Sequence, residues 1–403
     1  MTTDSYSGSS GGKYRNLYVV VEHMNGRIVP VSLEMIGEAR RLLDDFNSRY
    51  NEVEQVVVIL LGYQVENLCD ELISYGADVV IYAEDKELEF SRNTIDTKII
   101  SQISRDTDLA RQVSPQYIPP YIKPRYMFFA ADSIGRQLSS TVLADLESGL
   151  ASDINKLVIS DLEIRHEHKT KGVTVRYEKI LEMYRPDFSG FLWTTILCLD
   201  NKNPEIRRDY HPQACSIIPG AFKAIEPDKS RKGQVLRYKP VIDPHDMTTR
   251  VLKREVLKKK IDFDGHRAIV SFGRGIKDDP EQNIKVIEQL ARVLDAEIGI
   301  TLPLSKRPYE LSESVNSRFM IPERVIGTSG SFVTPALYIA LGIRGAVQHI
   351  AGMKGAEFVL SINPDENAPM RNESDVFING RMEDVLPIMI QELNKLKETN
   401  SKG

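Results

Sequence analysis

Cysteine is scarce in this sequence. Cys69, Cys198 and Cys215 stand far apart in 403 residues, without the close pairs that ligate zinc. That scarcity speaks against a disulfide framework and a structural metal site, and it leads us to expect a reducing, cytoplasmic setting. Long apolar runs are missing too: no segment approaches the roughly 20 residues a membrane-spanning helix needs. Nor does one sign of charge dominate. A formal net charge of -5, from 52 basic and 57 acidic residues, is no footprint for a nucleic-acid backbone. The basic run Lys253, Arg254, Lys258, Lys259, Lys260 is broken by Glu255 and Val256 and reads as a solvated connection. A Gly-x-x-x-x-Gly-Lys-[Ser/Thr] loop and a full Gly-x-Gly-x-x-Gly are both absent, which weakens kinase and dehydrogenase readings. Tryptophan occurs once, as Trp193 within the apolar run Phe191 to Leu199, and is expected in a core.

What is present is a strand–helix rhythm. The length suits two domains, and 41% hydrophobic with 27% charged residues suits a globular chain. Residues 1–13, rich in Ser and Gly, read as a flexible tail and not a signal peptide. An α/β domain over 14–222 follows. Leu17–Val21, Gln55–Leu61, Asp78–Tyr82 and Tyr126–Ala131 are its expected strands. Helices are expected from a Ser32 cap to Asn47, from Val65 to Tyr75, and from near Ser133-Ile-Gly-Arg136. Residues 84–124 read as an excursion from the sheet. Residues 164–222 read as strands and loops, with a turn at Asp187-Phe-Ser-Gly190. Polar residues 223–262 read as a linker.

A second α/β domain spans 263–403. Its expected strands are Ala268–Phe272, Glu297–Thr301, Arg324–Gly327, Phe358–Ile362 and Asp375–Ile378. Its expected helices are Asn283–Ala296, Pro335–Leu341 and Met382–Lys397. Each domain is thus expected to be a mostly parallel sheet flanked by helices.

Ligands in such sheets bind beyond the C-terminal strand ends. Four exits in the second domain have suitable composition. Ser271-Phe-Gly-Arg-Gly-Ile-Lys277 places Arg274 between Gly273 and Gly275. Gly327-Thr-Ser-Gly-Ser331 leads to Thr334-Pro335, read as a helix start that would favour a phosphate. Gly342-Ile-Arg-Gly-Ala-Val-Gln-His349 carries Arg344, and Ile362-Asn363-Pro364 is the fourth. From composition alone, this is a phosphate-friendly α/β site and no more.

The stretch from Gly327 to Lys354, GTSGSFVTPALYIALGIRGAVQHIAGMK, resembles the FAD-binding signature of the electron transfer flavoprotein alpha subunit. The resemblance continues through Gly273-Arg-Gly-Ile-Lys277, Ser361-Ile-Asn-Pro-Asp365 and Ala368-Pro369. It extends weakly over the first half through Gly37-Glu-Ala-Arg-Arg41, Tyr75-Gly-Ala-Asp78, Ser133-Ile-Gly-Arg136 and His211-Pro-Gln213. It implies that 263–403 is a Rossmann-like FAD domain and that 14–222 pairs with a beta subunit. Gly273, Arg274, Gly275, Lys277, Thr328, Ser329, Gly330, Ser331, Val333, Thr334, Arg344, Gly345, Gln348, His349 and Asn363 would then form the FAD site. Arg274 would lie over the isoalloxazine ring near N5, Ser329 would hydrogen-bond N5, and His349 would sit at O2. Residues 330–335 would support the ribityl-pyrophosphate, and Asn363 would lie on the AMP side.

The implied activity is electron carriage without substrate chemistry of its own. Electrons would pass from flavin dehydrogenases, such as acyl-CoA dehydrogenases, to a quinone oxidoreductase or a ferredoxin-type acceptor. An NADH-dependent bifurcating complex is an alternative; a nucleotide-binding α/β enzyme and a flavin-free scaffold subunit are others. The chain departs from the family pattern in several places. Thr328 replaces a common glutamine, Ser331 a lysine or arginine, Ser329 a threonine, Arg344 a serine and Arg381 an aspartate. Phe188-Ser-Gly-Phe191 replaces a Tyr-Gly-Gly-Asn-like turn.

Overall fold

The computed structural model describes residues 13–187, 192–255, 261–263, 265–306 and 309–400. Residues 1–12 of the expected tail, residues 188–191 and the basic residues Lys258, Lys259 and Lys260 lie outside them. Two compact units are present. One is built from residues up to 186 with 193–254, and the other includes everything from 255 onward.

The first unit holds a seven-stranded parallel sheet. Its strands are β1 (Tyr14–Val21), β2 (Val56–Gly62), β3 (Val79–Glu84), β4 (Lys123–Ala130), β5 (Leu150–Ile154), β9 (Gln213–Ile217) and β10 (Gln234–Tyr238), in the order β10-β3-β2-β1-β4-β9-β5. The apolar run of β2 is explained by burial on both faces. Val56, Val58 and Leu60 pack with Leu42, Leu43 and Phe46 of α1 (Pro30–Tyr50). Val57 and Ile59 face the opposite way, toward Ile99 and Ile103 of α3 (Asn93–Arg105). Parallel sheets require such double cover. Segment 84–124 is therefore no excursion, because its helix α3 is the second cover. The helices α2 (Leu68–Ser74) and α4 (Gly135–Asp145) complete the layers. The α1 helix starts at Pro30, so Ser32 lies inside it, and its Oγ accepts the Glu22 N–H at 2.9 Å instead of capping.

A separate three-stranded sheet, β8-β7-β6, comprises β6 (Lys156–Arg165), β7 (Thr174–Asp187) and β8 (Leu192–Leu197). Trp193 lies on its edge strand and is 52% exposed, beside Leu192 at 58%. The apolar run signalled a strand; it did not signal a core position, because an edge strand buries little.

The segment read as a linker contributes β10, parallel to β3 with Gln234 opposite Val79. Its first residue Gln234 and its fourth, Arg237, are exposed, a polarity that hid the strand.

The second unit is a five-stranded parallel sheet, β12-β11-β13-β14-β15, formed by β11 (Ala268–Phe272), β12 (Ala296–Ile300), β13 (Leu337–Leu341), β14 (Val359–Asn363) and β15 (Val376–Asn379). Here α5 (Pro280–Leu294) and α7 (Met382–Asn400) cover one face, where Phe272, Ile287, Leu290 and Leu386 meet. The helix α6 (Val347–Met353) lies with the opposite cluster of Ile269, Tyr338, Ala340 and Met353. Pro335–Leu341 was expected as a helix, yet Leu337–Leu341 is a strand registered on Ala268–Phe272. A short apolar run buried on both faces carries no helical or strand period. Conversely, Arg324–Gly327 is no full strand. Pro322–Arg324 forms a 3-10 turn, and Val325 and Ile326 make single bridges to Ile300 and Ser331. No helix among the described residues is long and apolar enough to cross a membrane.

Candidate functional site

In each of the two parallel sheets the strand order reverses beside the first strand, and a doubly wound sheet opens a crevice at such a reversal. In the first unit the reversal lies between β1 and β4, and its exits are Glu22 and Asp132. Glu22 is held strongly toward its protonated form, pushed up to about 8. Burial is the main cause, with Asp132 and then Asp96 adding negative charge. The Asp132 carboxylate already accepts from the N–H groups of Ile134 and Gly135 at the start of α4. A Cβ on Gly135 would lie 2.2 Å from Ala130 O and 2.9 Å from Glu22 Oε1. This exit is filled and acidic, which suits no phosphate.

The reversal of the second sheet lies between β11 and β13, and its chemistry is the opposite. After β11 the chain turns through Gly273-Arg-Gly-Ile276; after β13 it turns through Gly342-Ile-Arg-Gly345. The two turns touch backbone to backbone: a Cβ on Gly275 would be 2.5 Å from Gly342 Cα, and one on Gly273 2.8 Å from Gly342 O. Gly342 itself has φ +56°. The glycines thus exist for this contact, and it drives both arginines outward. Arg274 and Arg344 are exposed at neighbouring exits, with Lys277 exposed one turn on. Gly345 lets Arg344 O accept the Met370 N–H at 3.1 Å, since a Cβ there would strike Met370 N at 2.4 Å. Tyr309, which sequence reasoning missed, donates its hydroxyl to Arg274 O at 2.8 Å, and the guanidinium lies 5.4 Å from its ring centroid.

The Gly327–Gly330 segment is a tight turn. Gly330 N donates to Gly327 O, Gly327 N to Ser331 O and Thr328 N to Gln348 O. The turn leaves Thr328, Ser329 and Gly330 exposed, with hydroxyls available at its tip. Val333, in contrast, is buried and ties its N–H to Gly352 O, and the Thr334 methyl abuts Gly355. Because β13 begins where a helix was expected, Thr334-Pro335 offers no helix N-terminus for a phosphate. Asn363 is buried; its amide donates to Ile343 O at 2.9 Å and accepts from Asp365 N at 3.0 Å, so it laces one exit to the next. Arg381 is ion-paired with Asp278 at 2.8 Å.

His349 is buried, and both ring nitrogens are engaged. Nδ1 lies 2.9 Å from Ile326 O, and Nε2 lies 2.9 Å from the hydroxyl of Tyr338. Burial pulls its pKa down to about 4, so the ring is neutral near pH 7. Tyr338 also escaped the sequence reading, although a phenol within an apolar strand needs a partner.

Taken together, exposed arginines, hydroxyls and glycine-tight turns at a strand-order reversal suit a dinucleotide: cations for its phosphates and hydroxyl donors for its ring. The donor set fits FAD.

Comparison with known proteins points the same way. Residues 262–354 match the family described as the electron transfer flavoprotein FAD-binding domain, and residues 17–180 match the electron transfer flavoprotein domain. The electron transfer flavoprotein subunit alpha of Thermoanaerobacterium thermosaccharolyticum is 30% identical over 95% of this chain and 99% of its own length. Protein FixB of Azotobacter vinelandii is 30% identical over 94% of this chain and 90% of its own. The acryloyl-CoA reductase electron transfer subunit beta of Anaerotignum propionicum is 29% identical over 98% and 99%.

Proposed function

The chain belongs to the electron transfer flavoprotein alpha-subunit family, and on that premise we propose how it holds its FAD and where its electrons go. Its second unit is the FAD-binding domain. Bound FAD supplies the redox chemistry at its isoalloxazine ring; the protein tunes and positions it. Arg274 faces the ring as a fixed cation, and the Ser329 hydroxyl hydrogen-bonds near N5. Arg344 pairs with a pyrophosphate oxygen through a charge-assisted contact. Gly273, Gly275 and Gly345 hold these two arginines outward, while Lys277 adds positive charge beside them. Thr328, Gly330, Ser331 and Gln348 shape the ribityl side. Val333 and Thr334 support that loop from within, and Asn363 shapes the AMP side through its bonds to Ile343 and Asp365. The single observation that carries this reading is the pair of exposed arginines on touching glycine turns at the β11–β13 reversal.

The chain pairs with a beta subunit, works in the cytoplasm, and carries electrons from flavin dehydrogenases, such as acyl-CoA dehydrogenases, to a quinone oxidoreductase or ferredoxin-type acceptor. A second reading makes the pair an NADH-dependent bifurcating complex; one relative is named as an electron transfer subunit of a reductase, acryloyl-CoA reductase. Co-expression with a beta subunit, followed by flavin counting and stepwise dithionite titration, separates the two. One flavin per heterodimer supports the simple carrier, and two of unlike potential support bifurcation. A flavin-free heterodimer would overturn both.

A further inference from the structure

The connection from β12 to β13 returns to the β11 exit at Tyr309. After Ile300 it turns through the short helix Leu302–Lys306, whose Leu304 is buried in the cluster beneath α5. Leu311 packs against the same cluster, and the Ser312 hydroxyl donates to Glu281 of α5 at 3.2 Å. Between these two anchors the ring of Tyr309 packs partly into that cluster, which also holds Ile276.

From this supported position Tyr309 reaches Arg274 twice. Its hydroxyl donates to Arg274 O at 2.8 Å, and its ring centroid lies 5.4 Å from the guanidinium carbon. The first contact holds the turn. The second acts on the side chain, within the roughly 6 Å over which a ring face attracts a cation. Arg274 has use for such support. Gly273 and Gly275 beside it carry no side chains, and their bonds, Gly273 N to Leu341 O and Gly275 N to Gly342 O, both 3.0 Å, hold backbone alone. A long side chain that must be ordered on binding loses affinity for its ligand, and prior ordering recovers it.

We propose that Tyr309 is a positioning residue of the FAD site: it sets Arg274 in place before the cofactor arrives, the turn by its hydroxyl and the guanidinium by its ring. This rests on the reading of Arg274 as a cation that acts on the bound flavin. Reduction adds negative charge to the flavin ring, so a cation held in place favours the reduced form more than one that wanders. A guanidinium over an aromatic face also keeps its in-plane N–H donors for an anionic neighbour. Tyr309 therefore acts on both cofactor affinity and potential, through Arg274.

The test uses the heterodimer with its beta subunit and measures FAD dissociation and the flavin potential. The variants are Tyr309→Leu, Tyr309→Phe, Arg274→Gln, and Tyr309→Leu combined with Arg274→Gln. Tyr309→Leu should weaken FAD binding roughly two- to five-fold, the size of an exposed cation–π contact, and lower the potential. Tyr309→Phe keeps the ring and loses the hydroxyl bond, so it should lie between Tyr309→Leu and the wild type. In the Arg274→Gln background, Tyr309→Leu should change neither quantity further. The proposal is overturned if Tyr309→Leu moves neither quantity while Arg274→Gln moves both. It is overturned equally if Tyr309→Leu acts alike in both backgrounds, as a merely structural tyrosine would. If Arg274→Gln alone leaves both quantities at wild-type values, the reading of Arg274 fails and the proposal falls with it; that single variant tells the two failures apart. Should Tyr309→Leu fail to fold, Tyr309→Phe in the two backgrounds decides by the same criterion.

Discussion

Two parallel sheets in one chain reverse their strand order, and the two crevices carry opposite chemistry. At the β1–β4 reversal the exits end in Glu22, whose carboxyl is held toward its protonated form, and Asp132, which accepts from the start of α4. At the β11–β13 reversal the exits are glycine turns from which Arg274 and Arg344 point outward. The architecture is shared, so it cannot be what selects a ligand. Selection lies in two or three residues immediately after each strand, and in whether the backbone there leaves open space. An anionic dinucleotide fits only the second.

The comparison can be broken most severely at Gly275. In Gly275→Ala the new methyl would stand 2.5 Å from Gly342 Cα and 2.8 Å from its carbonyl, both backbone atoms that cannot swing aside. Overpacking of this kind costs about 1–3 kcal/mol, occasionally more. Thermal melting should show a destabilised second unit, and absorbance should show loss of FAD; an unaltered melt with full flavin would mean the turns are not locked together. The charge contrast is tested by Arg344→Ser. A hydrogen bond to a charged group contributes about 1.5–3 kcal/mol, so FAD should bind roughly 10- to 150-fold more weakly. The deficit should shrink as salt rises and screens the wild-type contact. Equal retention at low and high salt would remove Arg344 from the pyrophosphate.

The acidic crevice is tested by its pH dependence. The folded Glu22 carboxyl keeps its proton to about pH 8, against 4.5 for the free group. Its contribution to stability is therefore complete below about 4.5 and is lost as pH rises through about 8. Glu22→Gln cannot ionise, and its urea midpoint should fall less across that window than the wild type's. Parallel pH profiles for the two proteins would mean that Glu22 is already ionised in the fold.

Much of this was legible in sequence, for identifiable reasons. β2 and β11 announced themselves because double burial leaves an uninterrupted apolar run, and the glycine-flanked arginines are visible as Gly273-Arg-Gly275 and Ile343-Arg-Gly345. Where burial removes periodicity, type was lost: Leu337–Leu341 was read as a helix because Thr334-Pro335 resembles a helix start. Trp193 was read as core because hydrophobicity reports preference, and edge position on a small sheet is a tertiary fact. The partners of His349 were hidden for a related reason: Tyr338 is 11 residues away in sequence, and Ile326 acts only through its carbonyl.

The locked glycine turns have a bearing on how such a chain can drift. Gly273, Gly275, Gly327, Gly330, Gly345 and Gly352 each face backbone atoms within 3 Å of where a side chain would begin, so their mutation is resisted by folding itself. The departures at Thr328, Ser331 and Arg344 fall on positions between those glycines that the fold leaves at least partly open to solvent. A lineage could therefore adjust the electrostatics of its cofactor one exposed residue at a time, on a frame that mutation cannot easily revise.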